Sequence, residues 1–247
     1  MTDMLTMDKV TDAVQGLGFE RIEHIPGSTF RDNSTIIVIP TRGMIHHKVV
    51  QAWQNLMAPM NQKRGIMFAS GHEVGRAYDE LVERILVDPV LSKWQYMLTL
   101  EDDNLPLPDA HIRLLESIAW GDFDAVSGLY WTKGDYNMPM AYGDPEHYNR
   151  TGELEFKPRD VRQALTRGTV MPVNGIAMGC ALWKLDLFRR IPKPWFQTLS
   201  DWTPEKGGEC GTQDLVFCGK AKRAGARFAV DMRVKVGHLD INTGIVY

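Results

Sequence analysis

The chain has 247 residues, 44% of them hydrophobic and 24% charged, with a formal net charge of -3 at pH 7. This is an ordinary soluble globular composition, and three scattered cysteines (Cys180, Cys210, Cys218) exclude a disulfide scaffold. No window approaches the roughly 18 uninterrupted apolar residues of a membrane span, and the opening "MTDMLTMDKVTDAV" carries acids and no apolar signal core, so a protein of the reducing cytoplasm, without membrane contact, is expected.

Residues 1–33 are expected to form an appendage ahead of one domain over residues 34–247. The first strong strand signal is "TIIVIPTRG", a β-branched run stopped by Pro40. "HKVVQAWQNLM" spaces Val49, Val50, Trp53, Leu56 and Met57 as a helix does. "GIMFASG" reads as a second buried strand, "VGRAYDELVERIL" as a second amphipathic helix, and "WQYMLTL" as a third strand that runs straight into Glu101, Asp102 and Asp103. "PDAHIRLLESIAW" follows as a helix, with Pro108 and Asp109 suited to its first turn. "FDAVSGLYW" is a fourth strand. Residues 132–170 show no sustained period and are expected to be a long loop, a feature that in a compact domain is usually functional. "VNGIAMGCALWKLDLFRRI" then gives a strand and a helix. A last helix from about Gln213 to Ala224, closed by Gly225, leads to a strand ending near His238.

Alternation of strands and helices predicts an α/β domain with a mostly parallel sheet flanked by helices on both faces. Ligands of such sheets bind outside the carboxyl ends of the strands. Thr41, Ser70 and Asp103 all follow strand ends, so they are expected to line one crevice.

Three adjacent carboxylates at a strand end repel one another unless a cation neutralises them or water solvates them. Oxygen ligands suit Mg²⁺ or Mn²⁺, and a histidine such as His238 added to the set moves the preference toward Mn²⁺. Asp214 stands in the first turn of its helix. There the helix dipole lowers its pKa, and it acts as a general base only if desolvation raises it again. The sequence leaves helix acid and base equally open. "HEVGR" lacks the second histidine of a zincin helix, and neither a P-loop nor a Gly-x-Gly-x-x-Gly motif occurs. Zinc on Cys210, Cys218 and His238 would lack any Cys-x-x-Cys pair. Charge is divided along the chain: residues 1–155 hold 13 Lys and Arg against 23 Asp and Glu, residues 156–247 hold 15 against 8. The second half is therefore a candidate face for an anionic partner.

Taken in order, these segments resemble a glycosyltransferase of the GT-A fold, of the broad family-2-like type, over about residues 34–240. "TIIVIPTRG" resembles the opening nucleotide-binding strand and loop, "LEDDNLPLPDAHIRLL" the Asp-x-Asp metal motif with its proline and helix, and "VNGIAMGCALWKLDLF" the Gly-Cys strand backing the acceptor site. "GTQDLVFCGKAKRAG" is similar to the helix that carries the catalytic aspartate, with Gln213 in place of the usual glutamate. Where members often carry Ala-Arg-Asn, "AYD" has Tyr78 and Asp79.

The resemblance implies a single GT-A-like domain with residues 132–170 as an acceptor-side loop, and a metal-dependent enzyme moving a sugar from a nucleotide-diphosphate sugar to a hydroxyl acceptor. It implies Asp214 as catalytic base of an inverting reaction. Mn²⁺ or Mg²⁺ would be held by Asp103 with Glu101 or Asp102 and His238. The nucleotide sugar would lie against Pro40, Thr41, Arg42, Arg76 and Asp102, and the acceptor against Tyr130, Trp131 and Trp183. Compact enzymes of this kind in bacterial viruses glycosylate hydroxymethylated DNA bases, and Lys220, Lys222, Arg223 and Arg227 are the charges a DNA acceptor would meet first. The alternatives are a sugar-phosphate nucleotidyltransferase, for which "IPTRGMIHH" offers a single glycine, and a non-catalytic nucleotide- or DNA-binding module.

Overall fold

The run Thr35–Thr41 forms β1, hydrogen-bonded in parallel to β2 (Arg64–Ser70) on one side and to β3 (Tyr96–Leu100) on the other. Side chains alternate across a strand, so Ile36 and Val38 enter the core on one face of the sheet, and Ile37 and Ile39 the core on the other. A strand buried on both faces needs a continuous apolar run, and that is what the sequence supplies. The computed structural model describes residues 31–203 and 207–247, without the side chains of residues 200–210. The expected appendage lies, for residues 1–30, outside the described residues, as does the Cys210 side chain. Asn33–Tyr247 form one compact unit.

The remaining strands are β4 (Asn104–Pro106), β5 (Ala125–Leu129), β6 (Ala141–Tyr142), β7 (Val170–Val173), β8 (Gly175–Ile176), β9 (Cys180–Lys184), β10 (Leu199–Thr203), β11 (Gly207–Gly211) and β12 (Phe228–His238). The helices are α1 (His47–Gln54), α2 (Val74–Val87), α3 (Ala110–Trp120), α4 (Pro145–Thr151), α5 (Arg162–Arg167), α6 (Leu185–Arg190) and α7 (Gln213–Arg223). The main sheet has the order β2-β1-β3-β9-β5-β12-β4, with β7 also paired to β12. Five of its eight strands run one way; β9, β4 and β7 run against them. Helices α1 and α3 cover one face through Val49, Trp53, Leu114 and Ile118. Helices α2, α6 and α7 cover the other through Leu81, Ile85, Phe188 and Phe217.

Two features lay beyond the hydrophobic pattern. Strand β9 is buried and antiparallel between β3 and β5; an apolar run fixes burial but not direction. Residues 132–170, expected as a loop, contain β6, α4 and α5. These helices have 7 and 6 residues, too short for a helical period to register. Their ends are nevertheless marked: Asp144 caps α4 with Pro145 at its first position, and Gly152 and Gly168 close α4 and α5 at φ 76° and 60°.

Strand β12 changes partner along its length. Its first half pairs with β5 and β7, the register shifts between Asp231 and Lys235, and its last residues pair with β4. The fully buried Asp231 anchors this shift, accepting hydrogen bonds from Ser117 Oγ (2.6 Å) on α3 and from Arg233 Nη2 (2.8 Å).

His111 ties α3 to the sheet, with its Nε2 3.1 Å from Thr35 Oγ1. Burial, and then the Arg64 charge, push its pKa down to about 4. Unfolding frees it to titrate near the usual ~6.5, so between those values the unfolded chain binds more protons than the folded one. Its contribution is complete above about pH 6.5 and is lost as pH falls toward 4. Acidification from pH 7 to 5 is expected to cost roughly 2 kcal/mol through this residue. His111→Gln should flatten that part of the profile in denaturant titrations at the two pH values. An unchanged profile would place the acid sensitivity elsewhere.

Candidate functional site

Because β1 and β3 are parallel neighbours, their carboxyl ends place Thr41 and Arg42 beside the acidic triplet. The Arg42 backbone N–H donates to Asp102 Oδ2 at 3.3 Å, tying the two strand ends together. A cleft of about 370 Å³ opens there, walled by Pro40, Thr41 and Arg42 on one side and by Asp102 and Asp103 on another. His72 and Glu73, at the start of α2, and Gln213, at the start of α7, complete it.

The three acids at the strand end have different partners. Glu101 Oε1 lies 3.5 Å from the buried Tyr78 hydroxyl. Burial, with the charges of Asp103, Asp214 and Asp102, raises its pKa to about 8, so it carries a proton at neutral pH. Asp102 is engaged with the β1 end. Asp103 remains as the anion: burial pushes its pKa up, but hydrogen bonds from His238 and Lys133 outweigh this and hold it below the usual range. Its Oδ2 lies 2.5 Å from Lys133 Nζ and 3.5 Å from His238 Nε2, and its Oδ1 is buried without a hydrogen-bond partner among the described residues.

Strand β4 creates the Asp103–His238 pair. His238 faces Asn104 in the β4–β12 ladder, and Leu239 N–H donates to Asp103 O at 2.8 Å. His238 Nδ1 lies 2.7 Å from the Trp131 carbonyl. A carbonyl only accepts, so Nδ1 carries a proton, which leaves Nε2 as the ring nitrogen facing Asp103. A histidine oriented this way by a carbonyl is a usual arrangement for a metal ligand.

Among the described residues no group of three or more His, Cys, Asp and Glu side chains is placed to hold an ion. Glu101 and Asp102, expected beside Asp103 as ligands, line the same cleft, Glu101 against the Tyr78 hydroxyl and Asp102 against the Arg42 N–H. The pair that fits a divalent cation is Asp103 with His238, with the unpartnered Asp103 Oδ1 as spare anionic oxygen. A set this small matches ions that take their other ligands from substrate phosphates and water.

Asp214 lies at the start of α7, 7% exposed, its Oδ1 accepting from Leu215 N–H at 2.8 Å. Burial raises its pKa despite hydrogen bonds from Thr212 and the helix backbone, so desolvation outweighs the helix N-terminus. Its charge also acts on Glu101, Tyr78, Tyr130 and Tyr142, and its chain neighbour Gln213 lines the cleft.

The aromatic residues expected to face an acceptor do not all do so. Trp183 is fully buried, edge-on or tilted to Phe188, Phe196, Phe217 and Phe228. Tyr130 is 1% exposed, its hydroxyl accepting from Gly179 N–H at 2.7 Å. Neither offers a free face for stacking; their large apolar area is spent in the core. Trp131 is half-buried and lines a separate apolar hollow with Leu105, Leu129 and Tyr247. Arg76 is exposed and outside the cleft lining, and Asp79 holds the backbone N–H groups of Trp195 and Phe196.

The basic residues considered for DNA lie at the other end of the sheet. Arg227 precedes β12 and pairs with Asp122, Lys220 donates to the carbonyls of Pro192 and Pro194, and Lys222 rests near the Tyr148 ring. They stand a strand length from Asp103, on the order of 15 Å for five residues.

Sequence reasoning missed Lys133, Tyr78 and Gly179 as parts of the site. Tyr78 shares the buried face of α2 with Leu81, Val82 and Ile85, so the helical period could have placed it. A Cβ on Gly179 would come within 2.4 Å of Asn104 Oδ1 and 2.6 Å of the Tyr130 hydroxyl oxygen; glycine lets β9 pass this close to the strand end. Lys133 carried no signal in its own neighbourhood.

No family model matches the sequence, and no curated protein does. Solved structures do match. The chain is similar to the crystal structure of A197 from STIV (15% identity, 84% of this chain and 86% of that one, TM-score 0.56). It is also similar to GalNAc-T7 with UDP, GalNAc and Mn²⁺ (11% identity, 85% of this chain and 44% of that one, TM-score 0.53). This chain thus spans less than half the length of that glycosyltransferase, and at such identities the likeness is one of fold. The fold is GT-A-like. No helix among the described residues is long and apolar enough to cross a membrane.

Proposed function

We propose that this GT-A-like domain is a metal-dependent glycosyltransferase, taking a sugar from a nucleotide-diphosphate donor to a hydroxyl acceptor. The observation that carries the reading is the Asp103–His238 pair at the carboxyl ends of the strands, beside the Thr41–Arg42 loop. The GalNAc-T7 likeness, solved with UDP and Mn²⁺, supports it at the level of fold.

Asp103 and His238 would hold Mn²⁺ or Mg²⁺, whose chemistry when bound is to neutralise the negative charge gathering on a departing diphosphate. Pro40, Thr41, Arg42 and Asp102 line the cleft that would take the nucleotide end of the donor. Asp214 takes the acceptor's proton, and attack from the face opposite the leaving group inverts the anomeric centre. Its raised pKa supports this role, since a base works best when its pKa approaches the working pH. A DNA acceptor gains no support from the basic residues, which lie at the other end of the sheet; a small hydroxylated acceptor is the simpler reading.

A panel of nucleotide-diphosphate sugars screened by thermal shift with and without Mn²⁺ tests the reading. One donor, at about a hundred times its Kd, should stabilise the fold by about 2.7 kcal/mol, a rise of roughly 5–10 °C that requires the metal. That donor should also be hydrolysed slowly without acceptor. A panel in which no donor produces a metal-dependent shift would overturn the assignment.

A further inference from the structure

Two residues of one loop bear on Asp103, Trp131 through His238 and Lys133 directly. The segment after β5 turns back on itself: Trp131 bridges to Pro139, Thr132 N–H donates to Met138 O at 2.9 Å, and the Thr132 hydroxyl donates to Tyr136 O at 3.0 Å. Its base is stitched, its tip from Lys133 to Met138 is exposed, and Gly134 takes φ +96°, a turn that other residues rarely adopt. From the base, the Trp131 carbonyl orients His238 with Nε2 toward Asp103. From the tip, Lys133 Nζ contacts Asp103 Oδ2, the same oxygen that His238 approaches.

We propose that Lys133 is a tethered cation that holds Asp103 in the metal's stead and passes to the donor's diphosphate when the metal and donor bind together. The inference rests on the proposed glycosyltransferase reading and adds a control to it. Asp103 has two oxygens: Oδ1 is buried and without a partner among the described residues, Oδ2 is shared by Lys133 and His238. An ammonium and a divalent ion cannot both sit against Oδ2 without mutual repulsion, so Lys133 competes with free metal. Metal arriving with a diphosphate brings negative charge that compensates Lys133 for the loss of Asp103. Lys133 also lines the adjoining hollow of about 690 Å³ with Asp102, Asp103 and Asp240, which leaves its side chain room to move on the same loop. Free metal alone would thus be disfavoured relative to metal with donor, so that the site charges as a unit.

The test compares the full chain with Lys133→Met and Lys133→Arg, using Mn²⁺ alone followed by its free-ion EPR signal, then labelled inorganic pyrophosphate at saturating Mn²⁺. Removing a partly exposed competing ion pair should tighten Mn²⁺ binding about fivefold in Lys133→Met, while pyrophosphate retention should weaken about five- to tenfold for want of the ammonium. Lys133→Arg should resemble the parent in both. Opposite signs in the two readings are not produced by a damaged fold. Mn²⁺ affinity in Lys133→Met equal to or weaker than the parent's would overturn the inference. If Asp103→Asn abolishes Mn²⁺ binding in that same experiment, the metal reading stands without it. Absence of Mn²⁺ binding in parent and variant alike would overturn both.

Discussion

Asp214→Asn is expected to cut sugar transfer by about 10² to 10⁴ while leaving donor affinity nearly unchanged. Asparagine has almost the same shape and keeps the amide-accepting oxygen that meets Leu215 N–H, so the fold should lose at most about 1 kcal/mol. It cannot accept the acceptor's proton. The burial that raises the aspartate's pKa would suit it to act as a base, and the same burial makes neutral asparagine easy to accommodate. Transfer rate and donor affinity measured in one Mn²⁺ buffer separate the possibilities. A rate within a few-fold of the parent would make Asp214 a structural helix acid. Loss of donor affinity along with rate would move it to the metal or nucleotide site.

Asp103→Ala should weaken Mn²⁺-dependent binding of a nucleoside diphosphate by more than about a hundredfold, the upper end of what merely supporting residues cost. The side chain is partly exposed at a strand end, so circular dichroism should report an intact fold. His238→Ala removes a neutral ligand and less of the charge compensation, and about a tenfold loss is expected. Calorimetric titration with and without Mn²⁺ checks both. Full metal-dependent affinity in a folded Asp103→Ala variant would remove the foundation of the proposed function. Equal losses for Glu101→Gln and Asp103→Ala would mean that Glu101 sheds its proton and joins the metal when the ion binds.

The central strands and the longer helices were legible in the sequence, as was the acidic strand end. Runs such as "TIIVIPTRG" and "WQYMLTL" are apolar because a strand covered on both faces must be, and helices such as α2 and α3 show their buried faces in their spacing. The acidic triplet stood out because three adjacent charges at a strand end need an explanation whatever surrounds them. Asp214 was legible as a helix N-terminal acid, but its burial was not, and burial decided between the two opposed shifts of its pKa.

Which acid remains an anion, and what it meets, follows from pairing between segments far apart in the chain. Strand β4 is three residues long and contains Pro106, too short to leave a pattern, yet its pairing with the end of β12 sets His238 beside Asp103 across more than a hundred residues of chain. Tyr130 and Trp183 are as suited to a binding face as to a core by residue type; their burial follows from β9 running between β3 and β5, a direction that hydrophobic period does not encode. The basic second half of the chain likewise says nothing of orientation. Strand direction sends Arg227 and Asp103 to opposite ends of the sheet, so charges that add up along the sequence never act on one ligand. Composition and period report what each residue needs around it; the partners that meet at a strand end are fixed by pairing between segments far apart in sequence, through hydrogen bonds every residue can make.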